Sequence, residues 1–373
     1  MRRPLEGLLV LSLEQAVAAP YCSGRLADAG ARVIKVERPE GDFARKYDRA
    51  VGDLSSYFVW LNRGKQSLVA DIKAPDDAAL LHRILARADV FIQNLAPGAA
   101  DRAGFGSAAL RDAHPRLITM DISGYGDTPA YQSMKAYDLL VQAETGLASI
   151  TGHPAGPGRV GVSIVDVGCG MSAHAAILEA LIERGITGMG KQLSTSLFAA
   201  TADWMTVPLL YTEGTGSPPV RLGLAHPSVC PYGAFALSDG SLVLISIQNE
   251  REWAQFCTVF LGEPDLPTKA GFETNVARVK NRDGVEAKLS AIFVTLDRET
   301  VRTRLLAANT AFGFVNDVPA LAGHPALRRI MIETPSGPAH IVCPPVTAAG
   351  EDVSLGPVPS IGEHTQPIRA DFA

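Results

Sequence analysis

Leu8-Leu9-Val10-Leu11-Ser12-Leu13, then Cys22-Ser23-Gly24-Arg25-Leu26-Ala27-Asp28, then Arg32-Val33-Ile34-Lys35-Val36-Glu37: these three runs decide the fold. The first is apolar and of strand length. Gln15 to Pro20 make a turn into a helical pattern, and Gly30 stands where a helix-ending glycine belongs. The third run is a second strand. Strand, helix, strand at this spacing predicts a βαβ unit with parallel strands. The unit recurs. Residues 67–71, 89–94 and 117–122 read as strands. Residues 76–88 read as a helix capped by Asp76 or Asp77, and 110–114 as a short helix. This alternation predicts an α/β fold with a doubly wound sheet. Ligands should gather beyond the carboxyl ends of its strands, at residues 15–20, 38–42, 94–98 and 123–126.

No Gly-x-Gly-x-x-Gly follows the first strand, and no phosphate loop ends in Gly-Lys-Ser/Thr. The sheet is Rossmann-like without a dinucleotide fingerprint. Farther on, 136–149 reads as a helix, 151–158 as a Gly/Pro-rich loop, and 166–184 as a long, Ala-rich, buried helix. Residues 192–197 read as a strand feeding a helix through 204. Residues 213–219 read as a linker. Beyond it, 232–237 and 242–246 flank Asp239-Gly240 as a hairpin. Helical patterns follow at 250–261, 284–295 and 298–308, an α+β arrangement unlike the first part. From 335 onward the chain is again strand-like.

At 373 residues the chain exceeds the size at which single cores stop growing, about 250–300 residues, so two domains are expected. The formal net charge of -5 comes without a basic cluster, which argues against a nucleic-acid partner. No secretory leader and no membrane span are read from the pattern. Cys22, Cys169, Cys230, Cys257 and Cys343 are scattered, and no pair has metal-ligand spacing; the reading is reduced thiols in a cytoplasmic protein with no metal.

Chemistry can reside at three places. Asp166 lies between an apolar run and Gly168-Cys169-Gly170 at the start of the long helix. It reads either as a helix N-cap, with the glycines there for packing, or as a nucleophile, with the glycines leaving room for a bulky thioester and backbone N–H groups stabilising an oxyanion. Lys135-Ala136-Tyr137-Asp138 reads either as a solvated helix start or as a phosphate-pairing lysine beside site residues. Lys35, Arg38, Lys65, Lys73 and Arg102 sit at sheet ends, as scattered surface charge or as contacts to a phosphorylated ligand. His226 reads as structural. No Ser-His-Asp frame and no zinc motif appears.

In order and spacing, several blocks add up to a resemblance. They are Glu14 to Pro20, Ala31 to Asp42, Leu61 to Ser67, Gln93 to Gly98, Arg102-Ala103-Gly104-Phe105, Ile122 to Gly126, His226-Pro227-Ser228, Tyr232 to Phe235 and Ile361 to Thr365. The chain resembles the class III CoA-transferases, a family that includes formyl-CoA transferase, carnitine CoA-transferase and α-methylacyl-CoA racemases. The resemblance implies that Asp166 is the nucleophile of a CoA-transferase that passes through an aspartyl-CoA thioester to a small, dicarboxylic or other, carboxylic acid. It implies CoA contacts at Val17, Ala18, Arg38, Lys73, Asn94, Leu95, Ala99, Arg102 and Lys135, and substrate or supporting roles for Gln15, Tyr137 and Asp138. Coenzyme A is then a substrate, and no cofactor is tightly bound. The fold implied is an interlocked homodimer. Its large Rossmann-like CoA-binding domain covers 1–212 plus 335–373, and its smaller α+β domain covers 213–334. The racemase branch carries His-Asp where this chain has Tyr137-Asp138, which favours transfer over α-carbon isomerisation. The glycine-rich loop of formyl-CoA transferase has no counterpart. An acyl-CoA racemase and a non-catalytic acyl-CoA-binding protein are the alternatives. Arg45, Arg25 and Arg221 are candidates for anchoring a second carboxylate.

Overall fold

Six parallel strands build the centre of the first of two compact units. The computed structural model describes residues 3–131, 134–346, 348–350 and 352–373. In chain order the sheet unit runs β1 (Leu9–Leu13), α1 (Ala18–Asp28), β2 (Arg32–Glu37), α2 (Ser56–Asn62), β3 (Gln66–Val69), α3 (Pro75–Leu85), β4 (Val90–Gln93), α4 (Ser107–Ala113), β5 (Ile118–Ser123), α5 (Asp138–Glu144), α6 (Ile164–Thr187), β6 (Gln192–Ser196) and α7 (Leu197–Trp204). The strand order is β3-β2-β1-β4-β5-β6 and every pairing is parallel. This is the predicted α/β architecture with a parallel central sheet. Its strands are apolar runs because both faces are covered. Val10, Val33, Ile92 and Met120 pack with α1 and α6; Leu11, Ile34, Phe91 and Leu68 pack with α3 on the other side. The direction of winding reverses between β1 and β4. An open α/β sheet binds its ligands at such a switch point.

The second unit gathers residues 149–158 and 210–327, and the first takes 1–148, 159–209 and 328–373. In the second unit, β7 (Tyr232–Ala236) and β8 (Leu242–Ser246) form the hairpin, and β9 (Ala311–Phe314) adds a third antiparallel strand. Helices α8 (Glu250–Phe256), α9 (Arg282–Phe293) and α10 (Arg298–Ala307) cover it around Trp253, Phe256, Phe260 and Phe293. The chain then returns to the first unit as the hairpin β10 (Arg329–Ile332) and β11 (Ala339–Val342), ending in α11 (Thr365–Asp371).

Several local readings change. Asp76 and Asp77 lie in the first turn of α3, behind Ala74 and Pro75, and cap nothing; Asp77 instead accepts the N–H of Asp71 at 2.8 Å. The helix read at 136–149 is two pieces, α5 and Leu147–Ile150, broken where Gly146 takes φ 79°. Thr206–Thr215 is helical into the stretch read as linker. Among the described residues, α6 is the one helix long and apolar enough to cross a membrane, yet it lies against α1 and the sheet, with Val165, Cys169, Ala173, Ile177 and Ala180 buried.

Candidate active site

Asp166 is the third residue of α6, not its cap. Ser163 precedes the helix but gives it no side-chain bond; its hydroxyl pairs with Tyr57 at 3.0 Å. The cap comes from elsewhere in the chain. Asp138, at the start of α5, accepts the N–H of Val165 at 2.8 Å and of Asp166 at 3.4 Å through Oδ1. Its Oδ2 accepts from Gln142 Nε2 at 2.7 Å, and Gln142 in turn accepts the N–H of Val160. The remaining N–H groups of that turn are also occupied: Ile164 donates to the Val162 carbonyl and Val167 to that of Ser163. None is left for an oxyanion, which corrects that expectation. Burial and the neighbouring Asp138 charge together push the Asp166 carboxyl up to about 7.

The glycines beside Asp166 are also explained by packing. A Cβ on Gly168 would sit 2.0 Å from the Trp204 ring, and one on Gly170 would sit 2.5 Å from the Ala18 carbonyl oxygen of α1. They admit α7 and α1, so the reading of room for a thioester falls.

Asp166 opens onto a cavity of about 580 Å³. Gln15, Ala18, Phe43, Asn94, Tyr125, Tyr131, Lys135 and Tyr137 are among the residues that line it. A second cavity of about 490 Å³ lies beyond the ends of β1, β2 and β3, lined by Gln15, Arg38, Asp42, Lys73, Leu95 and Ala99 among others. The two share Gln15, Leu95 and Ala96. Their junction is the switch point of the sheet, and it is stapled: the Gln15 N–H donates to Asn94 Oδ1 at 2.9 Å, and Asn94 Nδ2 donates to the Gln15 carbonyl at 2.8 Å. The two cavities thus adjoin, with the Asp166 carboxylate in one and Arg38 and Lys73 in the other, beside the carboxylates of Glu14, Glu37, Asp42 and Asp71.

The model of CoA-transferase family III matches residues 5–365. The chain belongs to that family. The acetyl-CoA:oxalate CoA-transferase of Acetobacter aceti is 34% identical over 99% of this chain and 96% of its own. The succinate–glutarate CoA-transferase of Agrobacterium fabrum is 31% identical, covering 99% and 96%. A CAIB/BAIF family protein from Brucella suis superposes with a TM-score of 0.85 at 31% identity over 100% of both chains. The protein is an enzyme that transfers CoA.

Of the residues anticipated for this CoA-transferase, Gln15, Ala18, Asn94, Leu95, Lys135, Tyr137 and Asp166 meet in one cavity, and Gln15, Arg38, Lys73, Leu95 and Ala99 in the other. Val17, Arg102 and Asp138 line neither. Val17 is buried ahead of α1, and Asp138 turns to the backbone of α6. Lys35 and Lys65 are not surface charges: both are buried, with Lys65 Nζ 2.7 Å from Glu14 and Lys35 Nζ 2.8 Å from Asp42. The arginines proposed for a second carboxylate are committed elsewhere. Arg45 is held by both oxygens of Glu37, Arg25 pairs with Asp28, and Arg221 donates to the carbonyls of Ser149 and His153 in the second unit. His226 stacks on Tyr232. Missed from the sequence were Phe43, Tyr131 and Met134 of the cavity wall, whereas Tyr125 falls in the strand-end stretch 123–126 where ligands were expected. Also missed was Tyr47, whose hydroxyl pKa is pushed up to about 12 by burial and by the nearby charges of Asp42 and Asp166. Phe43 and Tyr131 lie on single 3-10 turns and Tyr47 just after one, too short for periodicity to mark a side chain as inward.

Proposed function

We propose that the enzyme moves CoA from an acyl-CoA donor to a small carboxylic acid, dicarboxylic acids included, through a covalent intermediate on Asp166. The carrying observation is a raised, half-enclosed carboxylate at one end of a cleft whose other end carries Arg38 and Lys73. Relatives named for oxalate, glutarate and mesaconate support the acceptor class. Arg38 and Lys73 face the phosphates of CoA, and the thioester reaches Asp166 past Gln15. An Asp166 oxygen attacks the thioester carbonyl, and the carbon–sulfur bond breaks to give a mixed anhydride and CoA thiolate. The thiolate attacks the aspartyl carbonyl, releasing the donor carboxylate and leaving aspartyl-CoA. The acceptor carboxylate then attacks that carbonyl, and the expelled thiolate attacks the new acyl group. Acyl-CoA departs and the Asp166 carboxylate is restored. Thioester energy is kept only if water stays out. With the helix N–H groups occupied, the Gln15 carboxamide at the junction is our donor to the oxyanion.

We further place the enzyme in the cytoplasm, on its free thiols, and read it as the interlocked homodimer of its family, with a large domain of 1–212 plus 335–373 and a small one of 213–334. Thr206–Thr215 supports the dimer: it has no buried residue, with Val207 74% and Leu210 63% exposed. On α6, Ile182 and Ile186 are 68% and 83% exposed. Each such side chain gains about 1.5–3 kcal/mol on full burial.

Replacing Asp166 with Asn or Ala should abolish exchange between acyl-CoA donors and free acids, read by mass spectrometry, and hydroxylamine should trap an adduct at Asp166 in the unaltered enzyme. Wild-type exchange rates in either variant would rule the covalent route out. Tyr137 in place of a histidine argues against α-carbon proton exchange; solvent deuterium entering the α-position without an acceptor acid would restore that alternative.

A further inference from the structure

Ala16, in the turn after β1, takes φ 64°, in the left-handed region that side chains avoid. Its N–H donates to Asp42 Oδ1 at 3.2 Å, and the same oxygen accepts the N–H of Ala44 at 2.9 Å. One carboxylate oxygen therefore holds the turn after β1 and the helical turn Phe43–Lys46 after β2. The other oxygen receives Lys35 Nζ at 2.8 Å, and Lys35 also reaches Glu14 Oε1 at 3.4 Å. Burial alone lowers the pKa of the Lys35 ammonium; Glu14 and Asp42 reverse this and keep it charged. Glu14 is further held by Lys65, Ser12 and Ser23. The side chains of Ser12, Glu14, Ser23, Lys35, Asp42 and Lys65 are buried, and they reach both cavities: Glu14 and Asp42 line one, while Ala16 and Phe43, near them in the chain, line the other.

Charges buried in this number add little net stability over a packed apolar cluster, but they fix geometry. Fixed geometry is what the junction needs, since a side chain displaced by about 1 Å can cost a reaction on the order of 100-fold. We propose that Asp42, held by Lys35, is a positioning residue that sets both walls of the cleft through one carboxylate oxygen, and with them the affinity for CoA. The proposal rests on the CoA-transfer reading above. Without Asp42, Ala16 relaxes out of the left-handed region, carrying Gln15 with it. A glycine at position 16 holds positive φ without a clamp.

The test compares wild type, D42A, and the double variant A16G/D42A by calorimetric CoA binding, by KM and kcat in exchange, and by thermal melting. D42A is expected to weaken CoA binding about tenfold or more and raise KM by a similar factor, while A16G/D42A recovers most of the loss. A drop in melting temperature with CoA affinity unchanged, or equal affinities for D42A and A16G/D42A, overturns the clamp. Should D42A fail to fold, D42L and A16G/D42L make the same comparison, because Leu fills the space of the Asp side chain but offers no acceptor to the Ala16 N–H, while Lys35 keeps Glu14 as its partner. Wild-type protein that binds no CoA overturns the transfer reading and the clamp with it. Wild-type binding matched by D42A overturns the clamp alone.

Discussion

Asp166 begins at a disadvantage, since its carboxylate is stripped of water and faces Asp138, which together push its pKa up to about 7. Only the anion is a nucleophile, so kcat/KM should fall about tenfold per pH unit below that value and level off above it. Asp138→Asn keeps an acceptor for the Val165 N–H and removes the like charge, so the acid limb should move to lower pH in the same rate profile. The sign for stability is the reverse. Unfolded, Asp166 titrates near the ordinary value of about 4; folded, it still holds its proton above that. Stability is therefore lost as pH rises from about 4 to about 7. Asp166→Asn should stabilise the chain by on the order of 1 kcal/mol at pH 8, discounted for the water that reaches the cleft, and by little at pH 4. Denaturant melts at the two pH values check this. Gln15→Ala should lower kcat about 100-fold if its carboxamide meets the oxyanion; an unchanged kcat assigns that role elsewhere.

Helix α6 joins catalysis to packing within one turn. Gly168→Ala drives a methyl into the Trp204 ring, and overpacking of this kind costs about 1–3 kcal/mol. A thermal melt should fall by several degrees while CoA affinity, governed at the far end of the cleft, holds. The βαβ runs were legible because strands covered on both faces must be apolar along their length, as β1 is. The acid at Asp166 was legible too, but its surroundings were not. Gly168 and Gly170 look the same in sequence whether they admit a ligand or a neighbouring helix, and only Trp204 and Ala18 decide it. Lys35 and Lys65 read as surface charge or as ligand contacts because sequence does not show that their partners, Asp42 and Glu14, are buried beside them. The cap from Asp138 lies 27 residues from Val165 and leaves no local signal.

On the scale of the molecule, the exposed apolar rows of α6 and Thr206–Thr215 set the expectation for assembly. If they are covered by a second copy, the melting temperature should rise with protein concentration, and sedimentation should return twice the chain mass; a monomer with a concentration-independent melt would remove the dimer. The last helix carries a different consequence. β3 is an edge of the sheet, and α11 seals it: the Val69 N–H donates to Thr365 Oγ1 at 3.1 Å, the Ser67 N–H to His364 Nδ1 at 3.3 Å, and Ile368 and Phe372 enter the core beneath. These partners are 296 and 297 residues apart along the chain. During synthesis at about 5–20 residues per second, β3 leaves the ribosome roughly 15–60 s before the segment that seals it. For that interval the nascent sheet offers an open, apolar edge, and a chaperone able to shield a strand would have its work at residues 66–69.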